Sequence, residues 1–95
     1  QMEGGIVQGL STALFEGIEV SGGTCKNRNF DGYRIMRMNE APKVIETIFI
    51  ENDEPVLGGI GEPGLPPATP ALINALARLT GKPIRKLPIT AALAS

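Results

Sequence analysis

The stretch Gly58-Gly59-Ile60-Gly61-Glu62-Pro63-Gly64-Leu65-Pro66-Pro67 constrains this chain more than any other feature, with four glycines and three prolines around a single acidic side chain. Glycine lets a backbone come close to a neighbour or a ligand, and proline removes the freedom to relax. Together they describe a rigid loop that presents one carboxylate. Rigid placement suits proton abstraction, because a general base must first lie within hydrogen-bond reach of its proton. The competing reading is a solvated glutamate in a structural turn, since charged side chains are mostly exposed. A phosphate cradle is disfavoured: the loop lacks the Gly-Lys-Ser/Thr ending of a P-loop and the strand–GxGxxG–helix order of a dinucleotide site.

Composition narrows the chemistry further. The 95 residues contain no histidine and one cysteine, Cys25. An internal disulfide, a cysteine cluster for zinc or iron–sulfur, and any His-dependent triad are therefore excluded within this stretch. Acid–base chemistry, if the chain performs any, falls to a carboxylate. A net charge of −1 with no long Lys/Arg run argues against nucleic acid or an anionic membrane as the main partner. Aromatics are scarce, so no stacking platform for single strands is visible. No apolar run reaches the roughly 18 residues of a membrane span. The hydrophobic share of 42% against 20% charged is globular rather than disordered. A chain of this length, however, buries only about two-thirds of its unfolded surface. Gln1-Met2-Glu3-Gly4-Gly5 runs straight into helical periodicity with no initiator tail or signal-peptide order, so the chain reads as a cut segment of a longer protein.

Met2, Ile6, Leu10, Ala13 and Leu14 follow the three-and-four spacing of an amphipathic helix. Gly5 and Gly9, four apart within it, cost roughly 1 kcal/mol each relative to alanine, which implies close approach by another backbone or by a ligand. Gly17 and Gly22-Gly23 mark turns around a short strand, Ile18-Glu19-Val20, giving a hairpin. Asn27 to Tyr33 is rich in turn formers, and Asp31-Gly32 is a strong local signal. Arg34 to Met38 alternates as a half-buried strand would, and Val44 to Ile50 is the clearest strand pattern, central to a sheet. A second helix over 70–80 is capped by Thr69, opened by Pro70, striped by Leu72, Ile73, Leu76 and Leu79, and closed by Gly81. Lys82 to Ile89 reads as a short extended segment anchored by Ile84 and Leu87, with a frayed end from Ala91 to Ser95. The expected fold is α+β: two helices, a small mostly antiparallel sheet over 18–50, the Glu62 loop and a short terminal strand, all one segment over residues 1–95.

Three blocks carry a family resemblance: Gln1 to Leu10, Asn29-Phe30-Asp31-Gly32-Tyr33, and Gly59-Ile60-Gly61-Glu62-Pro63-Gly64 with its following prolines and helix. In this order and spacing, closed by Thr80-Gly81-Lys82-Pro83-Ile84-Arg85-Lys86-Leu87-Pro88-Ile89, they resemble the carboxy-terminal part of the molybdopterin-binding subunit of the xanthine oxidase family of molybdenum hydroxylases. The isoquinoline 1-oxidoreductase beta subunit type is the nearest form. The resemblance implies that Glu62 is the catalytic base in oxidative hydroxylation of an N-heteroaromatic compound or an aldehyde, with water as oxygen source. It places Gln1 and Gly61 beside the cofactor and assigns no metal ligand to this chain, because the pterin dithiolene holds the molybdenum. Cys25 is then incidental. The cofactor is a molybdenum-pterin, in its cytosine dinucleotide form, supplied mainly by the rest of the large subunit. Electrons leave through [2Fe-2S] clusters on a small partner subunit. A small-molecule substrate is implied, in the cytoplasm or periplasm of a bacterium, and the isolated chain is expected to be inactive. A non-catalytic structural or binding module of the same architecture is the alternative.

Overall fold

The first helix, α1, runs from Met2 to Leu14. Its first turn carries Glu3, which complements the positive end of the helix dipole. The helix stops where Phe15 leaves helical geometry, and the N–H groups of Phe15 and Glu16 both turn back to the Ser11 carbonyl at 3.0 and 3.2 Å. Structure is described here for residues 1–93 of a computed structural model.

A hairpin follows, with β1 (Val20–Ser21) antiparallel to β2 (Thr24–Cys25) in the register Val20–Cys25 and Ser21–Thr24. Gly22 and Gly23 form its turn at φ of 59° and 75°, a conformation that glycine adopts without steric cost. The expected hairpin is present, set slightly later than Ile18-Glu19-Val20.

The remaining expected strands are absent among the described residues. Arg34 to Met38 joins no ladder and ends in a 3₁₀ turn, η1 (Met38–Glu40). Side chains occupy the backbone donors a ladder would use: Met36 N–H donates to Ser11 Oγ at 2.8 Å and Arg37 N–H to Glu40 Oε1 at 2.9 Å. Val44 to Ile50 has no strand partner, and the two-stranded sheet ends with β2. Residues 82–88 form no terminal strand: bends at 82 and 86–88 flank an irregular stretch that contains Pro83. The class is nonetheless α+β, with helices dominant and a minimal antiparallel sheet.

Helix α2 spans Ala68–Thr80 and begins after Pro67, slightly before the sequence expectation. Thr69 does not cap it. Its hydroxyl instead donates to the Gly9 carbonyl at 3.2 Å, fastening α2 to α1. Gly81 ends the helix in the left-handed region at φ 74°, and its N–H returns to the Ala77 carbonyl at 2.8 Å, as anticipated.

The chain closes with α3 (Ile89–Leu93), whose Ile89 is completely buried while Leu87, an expected anchor, is 43% exposed. Thr90 Oγ1 donates to the Leu14 carbonyl at 2.5 Å and ties α3 to the end of α1. The small core lies along α1, with Ala13, Ala68 and Ile89 as its buried apolar residues. The expected frayed end from Ala91 is helical to Leu93, and residues 94–95 lie outside the described residues.

Candidate functional site

Glycine-to-backbone contact decides where the Glu62 loop sits. Gly5, Gly9 and Gly64 are buried. A Cβ on Gly5 would stand 3.4 Å from Gly64 Cα, and one on Gly64 would meet the Met2 carbonyl oxygen at 3.2 Å. At Gly9 the fit is closer still: a Cβ would fall 2.6 Å from the Leu65 oxygen and 2.7 Å from Ala68 Cβ. Gly5 and Gly9 therefore serve close packing against the loop and the start of α2, whereas Gly4 faces open space.

The loop is clamped on both sides of its acidic residue. Leu65 N–H donates to the Glu62 carbonyl at 3.0 Å, closing a tight turn. Upstream, Gln1 Nε2 donates to the Gly61 carbonyl at 3.1 Å. Gln1 stands at the N-cap of α1 yet makes no side-chain capping bond, since its amide is committed to the loop. Of the sequence-derived site residues, Gln1, Gly61 and Glu62 thus meet in one place although 60 positions separate the first two.

Glu62 is exposed and, with Gly59, Gly61, Pro63 and Pro66, lines a shallow open depression of about 480 Å³. Its carboxylate has no hydrogen-bond partner among the described residues. Gly58, Gly59 and Gly61 have no atom within 4 Å of where a Cβ would stand, so their backbone lies open. Beside this depression runs an apolar groove of about 490 Å³ between α1 and α2, lined by Met2, Ile6, Leu10, Ala71 and Leu72 among others. Pro63 contributes to both walls, a role that loop composition alone did not single out.

This arrangement leaves an open, stiff-rimmed edge against which a bulky group can lie. The loop offers bare backbone, one free carboxylate and a stiff rim, and no cluster of three His, Cys, Asp or Glu side chains that could hold a metal occurs among the described residues. The residues present fit one edge of such a group. Cys25 lies away from the loop in β2, its thiol donating to the Asn27 carbonyl at 3.4 Å.

Residues 1–42 match the family described as a molybdopterin cofactor-binding domain. Subunit beta of isoquinoline 1-oxidoreductase from Brevundimonas diminuta is 45% identical over 94 residues, covering 99% of this chain and 12% of that protein. A membrane-bound aldehyde dehydrogenase [pyrroloquinoline-quinone] from Gluconacetobacter polyoxogenes is 33% identical over 89 residues, 94% of this chain and 11% of its own length. The xanthine dehydrogenase molybdenum-binding subunit of Escherichia coli is 34% identical over 96 residues, 95% of this chain and 13% of its own.

The match of residues 1–42 to a molybdopterin cofactor-binding domain, with relatives similar over nearly the whole chain, defines a cofactor-binding segment of the molybdopterin class. Within that class, the chain belongs to the molybdopterin-binding subunits of the xanthine oxidase family of molybdenum hydroxylases, of the isoquinoline 1-oxidoreductase beta subunit type. It spans about an eighth of the length of the curated relatives it matches. No helix among the described residues is long and apolar enough to cross a membrane.

Proposed function

We propose that, within an intact large subunit, this segment is the carboxy-terminal part of the molybdopterin-binding domain and supplies the general base for oxidative hydroxylation. The substrate class is an N-heteroaromatic compound or an aldehyde, and water is the oxygen source. The observation that carries this reading is the free carboxylate of Glu62 on a loop pinned at Gly61 and packed on Gly5 and Gly9.

When bound, the molybdenum cofactor, in its cytosine dinucleotide form, would supply the redox chemistry, with [2Fe-2S] clusters on a small partner subunit as the onward electron acceptors. Glu62 takes the proton from the water-derived oxygen at one carboxylate oxygen and thereby makes it a better nucleophile. Gln1 positions the base indirectly, since its amide fixes the carbonyl immediately before Glu62. Gly61 leaves room for the cofactor beside that carbonyl. Pro63 and Pro66 stiffen the rim, so that little geometry is lost as the site fills.

The test is Glu62→Gln in the intact subunit, with turnover and molybdenum content both measured. A positioned general base contributes about 10²–10⁴-fold, so turnover falls by that factor while molybdenum is retained. Near-normal turnover at full metal occupancy would instead assign the segment a structural or binding role.

A further inference from the structure

Val44 to Ile50 carries the strongest strand pattern in the sequence, yet it joins no sheet. No backbone N–H or C=O in it makes a hydrogen bond among the described residues. Among the described residues the only sheet is the hairpin, which pairs Val20 with Cys25 and Ser21 with Thr24 and takes no third strand.

In a strand, successive side chains alternate between faces. One face would hold Val44, Glu46, Ile48 and Ile50, and the other Ile45, Thr47 and Phe49. Both are mainly apolar, the signature of a strand covered on both sides. Here Val44 is 74% exposed, Ile48 86%, Phe49 69% and Ile50 90%. The Thr47 hydroxyl is shut off from water and has no hydrogen-bond partner. An apolar segment with free backbone donors and acceptors templates pairing with another strand.

We infer that Val44–Ile50 is an interior β-strand whose neighbour is a strand from the remainder of the same subunit. Isoquinoline 1-oxidoreductase subunit beta leaves 88% of its length outside the matched stretch, so ample chain exists to provide that neighbour. A strand of this length reaches about 23 Å, long enough for a full ladder. The inference rests on the chain's being a stretch of a longer subunit and is independent of the role of Glu62.

Amide hydrogen exchange of the intact subunit, read by mass spectrometry at several protein concentrations, tests it. Peptides covering residues 44–50 exchange at least about 100-fold more slowly than an unstructured chain, equally at concentrations where the subunit is a single copy. Ile48→Pro, which cannot donate to a ladder, raises exchange in its neighbours by about tenfold or more, whereas Ile48→Val leaves it slow. Exchange of the wild-type segment near the unstructured rate would overturn the inference. So would protection that disappears on dilution, which would assign the neighbour to a second copy, or protection lost when other chains of the complex are removed.

Discussion

Gly9 and Gly5 lie four residues apart on the same helix face, but the loop presses on them unequally. At Gly9 a methyl group would collide with a backbone oxygen and with Ala68, neither of which is the free end of a flexible side chain. Gly9→Ala therefore lowers the stability of the intact subunit by about 1–3 kcal/mol, the usual cost of overpacking. At Gly5 the same methyl would rest at 3.4 Å from Gly64, an ordinary contact. Its added helix propensity offsets the slight crowding, so Gly5→Ala stays within about 1 kcal/mol of wild type. Thermal midpoints of the two variants check the difference, and equal midpoints would contradict the packing described here. That α1 needed glycines was legible in the sequence. Which glycine meets backbone oxygen was not, because that depends on how the loop from 58 to 67 lies across the helix.

At the scale of elements, polar side chains take over where sheet pairing is missing. Glu16, just beyond α1, accepts the Ser11 hydroxyl on one oxygen at 2.5 Å and the Tyr33 hydroxyl on the other at 2.8 Å, while Ser11 accepts Met36 N–H. The Arg34 guanidinium lies over the Phe15 ring at 3.9 Å and pairs with Glu40. These contacts bind the 33–40 segment to the end of α1. The hydrogen bond from Tyr33 to the Glu16 carboxylate, reinforced by desolvation and by the negative charge itself, raises the phenol's pKa above its ordinary value near 10. The folded state therefore holds that proton more tightly than the unfolded one. The contribution is complete below about pH 10 and is lost as pH rises through the higher folded value. Unfolding of the intact subunit, wild type and Tyr33→Phe, at pH 8 and at successively more alkaline pH measures this: the wild-type advantage, about 0.5–1.5 kcal/mol for one hydrogen bond, shrinks with rising pH. For Glu40 the sign is opposite. The Arg34 hydrogen bond lowers its pKa, so its contribution is present above the ordinary carboxylate value and fades as pH falls through the lowered one. The alternation in Arg34 to Met38 suggested a strand because it records which residues turn inward, but it carries no information on whether a ladder partner is within reach.

The whole molecule is loose for its length. Its radius of gyration is 16.3 Å, against about 12 Å for a compact domain of this size. Among the described residues the buried apolar side chains are Ala13, Ala68 and Ile89, while Phe30, Met38, Ile48, Ile50 and Leu57 are among many left in the open. Such a chain buries too little apolar surface to offset its conformational entropy. Produced alone, the 95-residue chain shows no cooperative heat-absorption peak in calorimetry and no turnover; a sharp two-state transition would show that the packing around α1 suffices by itself. Local chemistry was within the reach of the sequence alone. Helical spacing marked α1 and α2, Gly81 marked a helix end, paired glycines marked the hairpin turn, and loop composition singled out Glu62, because each of these depends on residues close together along the chain. Tertiary structure alone decided that Gln1 reaches Gly61, that Thr69 fastens two helices rather than capping one, that Ile89 rather than Leu87 is the buried anchor, and that Val44–Ile50 stands unpaired. Those outcomes depend on what lies across space from each residue, and for Val44–Ile50 no strand partner lies among the described residues.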